Sequence, residues 1–196
     1  MKSLLRPAIV LIVFFTVLTG ILYPLVITGI AGVAFPETAA GSLIVRNGKV
    51  IGSRLIGQSF SDPKYFWGRP SATSPQPYAG TASSGSNLGP LNPALTDAVT
   101  MRIQALRAAD PGNAGPVPVD LVTASASGLD PELSIAAALY QAPRIARVRG
   151  LDVIAVRRLI AAHSQNRVLG AFGEPRVNVL ALNLALDGLA PATGSR

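Results

Sequence analysis

Apolar positions fall along this chain in two regimes. From Pro7 to Phe35 they run almost unbroken: no charged residue lies between Arg6 and Glu37, and Leu, Ile, Val and Phe dominate. A helix of about 20 apolar residues crosses the roughly 30 Å hydrocarbon core of a bilayer. The pattern predicts a transmembrane helix over residues 8–30, preceded by a short N-terminal segment, 1–7, and followed by a linker, 31–40. A cleaved signal peptide is the rival, with Ala31–Ala34 resembling a cleavage site. Its apolar region normally spans only about 7–15 residues, so the run favours an uncleaved anchor. Beyond it, short apolar runs alternate with turn residues. That pattern predicts one mixed α/β (α+β) extramembrane domain over 41–189 and a flexible tail, 190–196.

Within the domain, Gly41–Val45 and Val50–Ile56 flank Asn47-Gly48, a strong hairpin signal because both turn residues accept positive φ. Phe60–Pro70 concentrates aromatic residues. Ser71–Pro90 is uncharged and rich in Ser, Gly, Pro and Ala, which reads as a long ordered or semi-ordered loop. Asn92-Pro93 opens a helix whose stripe is Leu95, Val99, Ile103 and Leu106, ending near Ala109. Val117–Val122 reads as a short strand. Asp130-Pro131 reads as a second cap-and-proline helix start, broken at Pro143, with Arg144–Arg149 a basic turn ending at Gly150. Asp152 caps the next helix, with Ile154, Leu159 and Ile160 inward, Arg157 and Arg158 outward, and His163 in the last turn. Asn178–Asp187 is densely apolar and reads as a buried helix stopped by Gly188, with a strand over Val177–Leu182 the alternative.

One face of the apolar run carries more than hydropathy. Thr16, Gly20, Pro24, Thr28 and Gly32 follow one another at i+4 and form a ridge of small or notched side chains. In lipid, small residues let two backbones approach, which suits packing against a membrane partner; Gly and Pro are also simply commoner in membrane helices. Pro24 lacks an N–H, so the carbonyl of Gly20 loses its usual donor and needs a neighbouring helix, a water or a hydroxyl such as that of Thr19 or Thr28.

Charge sets the orientation. Lys2 and Arg6 precede the helix and Glu37 follows it, which favours a cytoplasmic N-terminus and an exported domain. The net charge is +7, of which Lys2 and Arg6 supply two, leaving +5 for the remainder. Such a balance suits nucleic acid, anionic lipid or an acidic protein. No nucleic-acid motif with interleaved aromatics is present, and an exported domain meets no nucleic acid. The absence of cysteine removes disulfides, thiolate metal sites and cysteine nucleophiles, and a single histidine, His163, is too few for an imidazole metal site.

Candidate chemistry is sparse. No Walker, Rossmann or Gly-x-Ser-x-Gly spacing appears. Ser125 or Ser127 with His163 and an aspartate would make a hydrolase triad, a weak match in a chain so rich in small hydroxyls. Ser127 and Gly128 precede an expected helix N-terminus, with Arg144 and Arg147 nearby in sequence, an arrangement that accepts a phosphate; an ordinary capped turn is the competing account. Tyr65, Phe66, Trp67 and Arg69 have the composition of a binding hot spot, or else fill the core.

Several of these stretches are familiar together. Gly-Ser-Arg-Leu-Ile-Gly-Gln (52–58), Tyr-Phe-Trp-Gly-Arg-Pro-Ser-Ala (65–72), Ser-Gly-Ser-Asn-Leu-Gly-Pro (84–90), Ser-Gly-Leu-Asp-Pro (127–131), Tyr-Gln-Ala-Pro-Arg-Ile-Ala (140–146) and Val-Asn-Val-Leu-Ala-Leu-Asn (177–183) stand in order. They resemble the C subunit of the bacterial Kdp potassium-transporting P-type ATPase, and the likeness reaches from the anchor to about Leu189. Glu132 departs from the family's pattern, in which histidine is usual there. The resemblance implies a single-pass, non-catalytic subunit of the bacterial inner membrane. Its partners would be a potassium-translocating subunit, an ATP-hydrolysing subunit and membrane lipid, with no cofactor of its own. It also implies a catalytic chaperone that raises the pump subunit's affinity for ATP. A nucleotide role then falls on Ser127, Gly128, Leu129, Asp130 and Gln141. That role conflicts with a periplasmic or extracellular domain, where ATP is scarce. The orientation instead favours assembly, with an anchored envelope hydrolase the remaining alternative.

Overall fold

The computed structural model describes residues 2–189, so the tail expected over 190–196 lies outside the described residues. The chain divides into two compact units that meet in sequence between Ile51 and Gly52. In the first, helix α1 (Lys2–Val17) passes through a wide π turn, Leu18–Leu22, into α2 (Tyr23–Ala34). The stretch Leu4–Ala34 is one rod of 31 residues, and its apolar window buries nothing within the chain. At 1.5 Å per residue it is about 46 Å long, ample for a bilayer core. The expected helix over 8–30 lies wholly inside it.

The π turn is the local answer to Pro24. A proline ring inside a helix clashes with the carbonyl four residues back and offers that carbonyl no donor. Here the Tyr23 N–H reaches back five residues to the Leu18 carbonyl, and Pro24 occupies the first turn of α2. Widening one turn moves the kink point to where proline is tolerated. The Thr19 hydroxyl donates to the Phe15 carbonyl at 2.6 Å, keeping its own polarity inside the rod. A single helical turn, α3 (Pro36–Ala39), then leads to the hairpin β1 (Leu43–Arg46) and β2 (Lys49–Ser53). Asn47 and Gly48 turn it at φ +52° and +74°, as the Asn-Gly signal requires.

The second unit is built on α4 (Pro93–Ala109), β3 (Glu132–Ser134), α5 (Ile135–Arg149), α6 (Val153–His163), β4 (Ser164–Gln165), β5 (Arg176–Asn178) and α7 (Val179–Leu186). β5 is the middle strand of an antiparallel sheet, β3-β5-β4, with Leu133 opposite Val177 and Ser164 opposite the same valine. The core packs one side of this small sheet and gathers Phe66, Leu106, Leu121, Leu133, Ile145, Val156, Ile160, Val177, Leu182 and Leu186. The Asn92 carboxamide caps α4 at the Ala94 N–H, the Asp152 carboxylate caps α6 at Ile154, and Asn178 caps α7 at Ala181.

Four sequence expectations are corrected. Val117–Val122 is not a strand; it holds a single 3₁₀ turn, Val119–Leu121. No helix starts at Asp130-Pro131, because pairing with β5 draws Glu132–Ser134 into a strand and the Ser134 hydroxyl caps α5 instead. Pro143 does not break that helix. It sits exposed on the same face as Leu139, while Ala138, Ala142, Ile145 and Ala146 on the other face are buried. Arg144–Arg149 is therefore the last part of α5, and Gly150 ends it in the left-handed region. Ile154 points outward, and Val156 takes the core position on α6.

Truncating Leu182, fully buried on α7, to alanine should cost about 2–5 kcal/mol in denaturant unfolding of the domain, whereas Ile154→Ala at an exposed position should change it by less than about 0.5 kcal/mol.

Candidate functional site

The segment Tyr65–Trp67 lies against the domain core outside any described strand, and side chains satisfy most of its backbone in place of a sheet. The Asn183 carboxamide on α7 accepts from the Phe66 N–H at 2.9 Å and donates to the Phe66 carbonyl at 3.0 Å. The Gln141 carboxamide on α5 does the same for Trp67, at 2.8 and 3.1 Å. Arg144 donates to the Tyr65 carbonyl at 3.1 Å and to the Gln141 oxygen at 2.6 Å, and its guanidinium lies over the indole of Trp67 with 4.6 Å to the ring centroid. One turn further along α5, Arg149 donates to the Lys64 carbonyl and pairs with Asp187 at 2.7 Å, over the ring of Tyr65. Burial pulls the Arg144 guanidinium down to about 10, which still leaves it protonated at neutral pH.

This placement decides the aromatic candidates. Phe66 is fully buried and offers nothing to a partner; the core takes it. Tyr65 and Trp67 are partly buried against that core. Arg69 is spent on Asp130, with Nη1 to Oδ2 at 3.1 Å and a second bond to the Ala124 carbonyl. It borders three clefts, of about 280, 510 and 570 Å³.

The candidate nucleotide residues separate. Gln141 is 1% exposed and its amide is consumed by Trp67 and Arg144, so it meets no solvent ligand in this arrangement. Ser127–Pro131 is a loop, followed by β3 and not by a helix, which removes the helix dipole that would have favoured a phosphate. Gly128 holds φ +68° and a Cβ there would come 2.6 Å from the Ser84 carbonyl, so only glycine fits. Its own carbonyl accepts from the Ser71 hydroxyl at 2.7 Å. The Leu129 carbonyl accepts from the Gly57 N–H, and the Asp130 carboxylate accepts from the Glu132 N–H while pairing with Arg69. Of these residues Ser127 alone keeps an exposed side chain, its hydroxyl oxygen accepting from the Leu129 N–H, on the rim of the 570 Å³ cleft with Leu55, Ser125 and Ala126.

The long loop is ordered by this same seam. The Ser71 hydroxyl meets that of Thr73 and accepts from the Tyr78 N–H, the Thr73 hydroxyl accepts from the Ala79 N–H, and the Ser84 N–H donates to the Ser127 carbonyl at 3.0 Å. Tyr78 donates its hydroxyl to the Arg69 carbonyl, and burial pushes that phenol up to about 12. No geometry joins the hydrolase candidates: Ser125 is buried in the seam, while His163 turns its Nδ1 to the Leu159 carbonyl at 3.0 Å on α6. On the rod, Thr16, Gly20, Pro24, Thr28 and Gly32 are all exposed, and a Cβ at Gly32 would meet nothing within 4 Å.

Sequence reasoning passed over Asn183 and Arg149 as site-building residues. The signal was available: Asn183 falls on α7 between Leu182 and Leu186, where a surface polar residue has no place.

Comparison with known proteins resolves the family. The family described as KdpC, K+-transporting ATPase, c chain, matches residues 5–188. A potassium-transporting ATPase KdpC subunit of Variovorax paradoxus is 65% identical over 192 residues, covering 98% of this chain and all of the relative. One from Polaromonas naphthalenivorans is 66% identical over 191 residues, with 97% of each chain covered, and one from Dechloromonas aromatica is 63% identical over 190. With a match this long and this close, the chain belongs to the KdpC family, the c chain of K+-transporting ATPases.

Proposed function

We propose that this chain is the single-span accessory subunit of a potassium-transporting ATPase complex, and that it works by assembly without chemistry of its own. The observation that carries the proposal is the end-to-end likeness to relatives named as that subunit. Two features support it. The apolar rod buries nothing within its own chain, and its small-residue ridge gives a partner helix room for close approach. The domain, in turn, spends its most distinctive polar residues on its own backbone. The rod lies in the bacterial inner membrane with Arg6 on the cytoplasmic side, and the domain outside packs on the potassium-translocating and ATP-hydrolysing subunits.

A second role, raising the pump subunit's affinity for ATP, is favoured by one observation: Ser127 stands exposed on the rim of a 570 Å³ cleft. It requires the domain to be cytoplasmic. A cysteine placed at Ser84, whose side chain is exposed in a chain with no other cysteine, reports the side directly. Intact cells should label with a membrane-impermeant maleimide; labelling only after lysis would reverse the orientation and revive the nucleotide role.

The two candidate nucleotide residues should behave differently. Gln141→Ala leaves the Trp67 N–H and C=O unpaired and removes one of the two hydrogen bonds of Arg144, and should destabilise the domain by roughly 2–4 kcal/mol, read as a lowered unfolding midpoint. Ser127→Ala should cost less than about 1 kcal/mol and leave both assembly and the ATP dependence of transport unchanged. A raised ATP requirement in Ser127→Ala, with the complex intact, would favour the chaperone role over assembly alone.

A further inference from the structure

Between β4 and β5 the chain runs out through an arm whose end is apolar and bare. Val168 and Phe172 bridge in antiparallel fashion, each N–H donating to the other's carbonyl at 2.9 and 3.0 Å. Beneath them Arg167 grips Glu174 through both carboxylate oxygens, at 2.9 and 2.7 Å. The tip these bonds hold out is Val168, Leu169 and Phe172, which are 56%, 89% and 68% exposed. Single exposed apolar residues are ordinary, but three gathered on one clamped projection form a patch. Leu169 also holds φ +53°, a region that favours glycine or asparagine, so a leucine stands here against its backbone preference. Such strain persists where the surroundings over-determine it, and it gathers at binding elements.

Charge narrows what the tip fits. Interfacial membrane elements pair an apolar face with free lysine and arginine for the headgroups. The two arginines beside this arm are both neutralised: Arg167 by Glu174, and Arg176 by Glu132 at 2.7 Å. A projection that is apolar at its tip and charge-balanced at its base suits a neutral protein pocket. Resting on the assembly role proposed above, we infer that residues 167–174 are a docking knob, with Val168, Leu169 and Phe172 seated in an uncharged apolar pocket on another subunit of the potassium-transporting complex.

The test uses the full chain, tagged and co-expressed with the other subunits of its own complex. The unaltered chain should bring those subunits down, identified by mass spectrometry. Leu169→Asp combined with Phe172→Asp should cut their recovery at least tenfold with no change in the domain's thermal unfolding, and Leu169→Met should retain it. A second measurement does not depend on the aspartates: Leu169→Cys carrying a benzophenone should photocrosslink to one of those subunits. Equal recovery with the double aspartate variant, or a crosslink to lipid alone, would overturn the knob while leaving assembly standing. If the unaltered chain recovers no subunit, the assembly role falls and takes the knob with it.

Discussion

Two buried carboxamides hold this domain's architecture together. Tyr65–Trp67 threads the core between α5 and α7, where an extended backbone would leave its N–H and C=O groups unpaired and costly. Asn183 and Gln141 each present one donor and one acceptor to a single residue, Phe66 and Trp67 in turn, reproducing with side chains the pairing a neighbouring strand would give. Such a network is all or nothing, since an amide that loses one partner leaves the others buried and unsatisfied. Phe66 can fill the core because its backbone is satisfied on both sides. The aromatic segment is thereby fixed relative to two helices that are distant from it in sequence.

The arginines of α5 complete this arrangement and change the meaning of the chain's positive charge. Arg144 lies 2% exposed, stacked on Trp67 and bonded to Tyr65 and Gln141. Arg147 pairs with the buried Asp110 at 2.8 Å, and Arg149 ties Lys64 to Asp187. A run of basic residues that would suit an anion is, in three of its members, directed at the protein's own carbonyls and carboxylates. Arg157 and Arg158 on α6 remain exposed. Net charge is thus a poor guide to ligand chemistry here, because Arg147 and Arg149 are paired with carboxylates and Arg144 is buried against the protein's own carbonyls.

Local signals proved legible wherever the controlling interaction is itself local. The Asn47-Gly48 hairpin, the Asn92 and Asp152 caps and the stripe of α4 each depend on residues within a turn of one another, and each is present. The failures share a cause. Asp130-Pro131 has the composition of a helix start, yet the register with β5, more than forty residues away in sequence, claims Glu132–Ser134 for a strand. Pro143 has the composition of a helix stop, yet its ring faces solvent while the opposite face is packed. Gln141 and Asn183 are polar residues in apolar stripes, and only the neighbours on their helices, Ala138, Ala142 and Leu182, hint that they are interior. A distant partner decides each of these, and periodicity within one segment does not contain it.

The rod obeys a different solvent and so divides the labour. In the domain, Gln141, Asn183 and the Ser71–Gly128 seam pair buried backbone with side chains from within, and Arg144 adds one bond to the Tyr65 carbonyl while its Nη1 stays without a partner. The rod has no interior, so its backbone must be satisfied along its own length, which the π turn at Leu18–Leu22 does while admitting Pro24. Proline in the middle of an apolar helix carries a cost with no return in the isolated rod. In lipid, hydrophobic burial gives no advantage to helix pairing, so the assembly proposed above would rest on shape, with Gly20, Pro24 and Gly32 leaving room for close approach. The domain draws on side chains from distant elements to satisfy buried backbone, whereas the rod draws only on its own neighbouring turns.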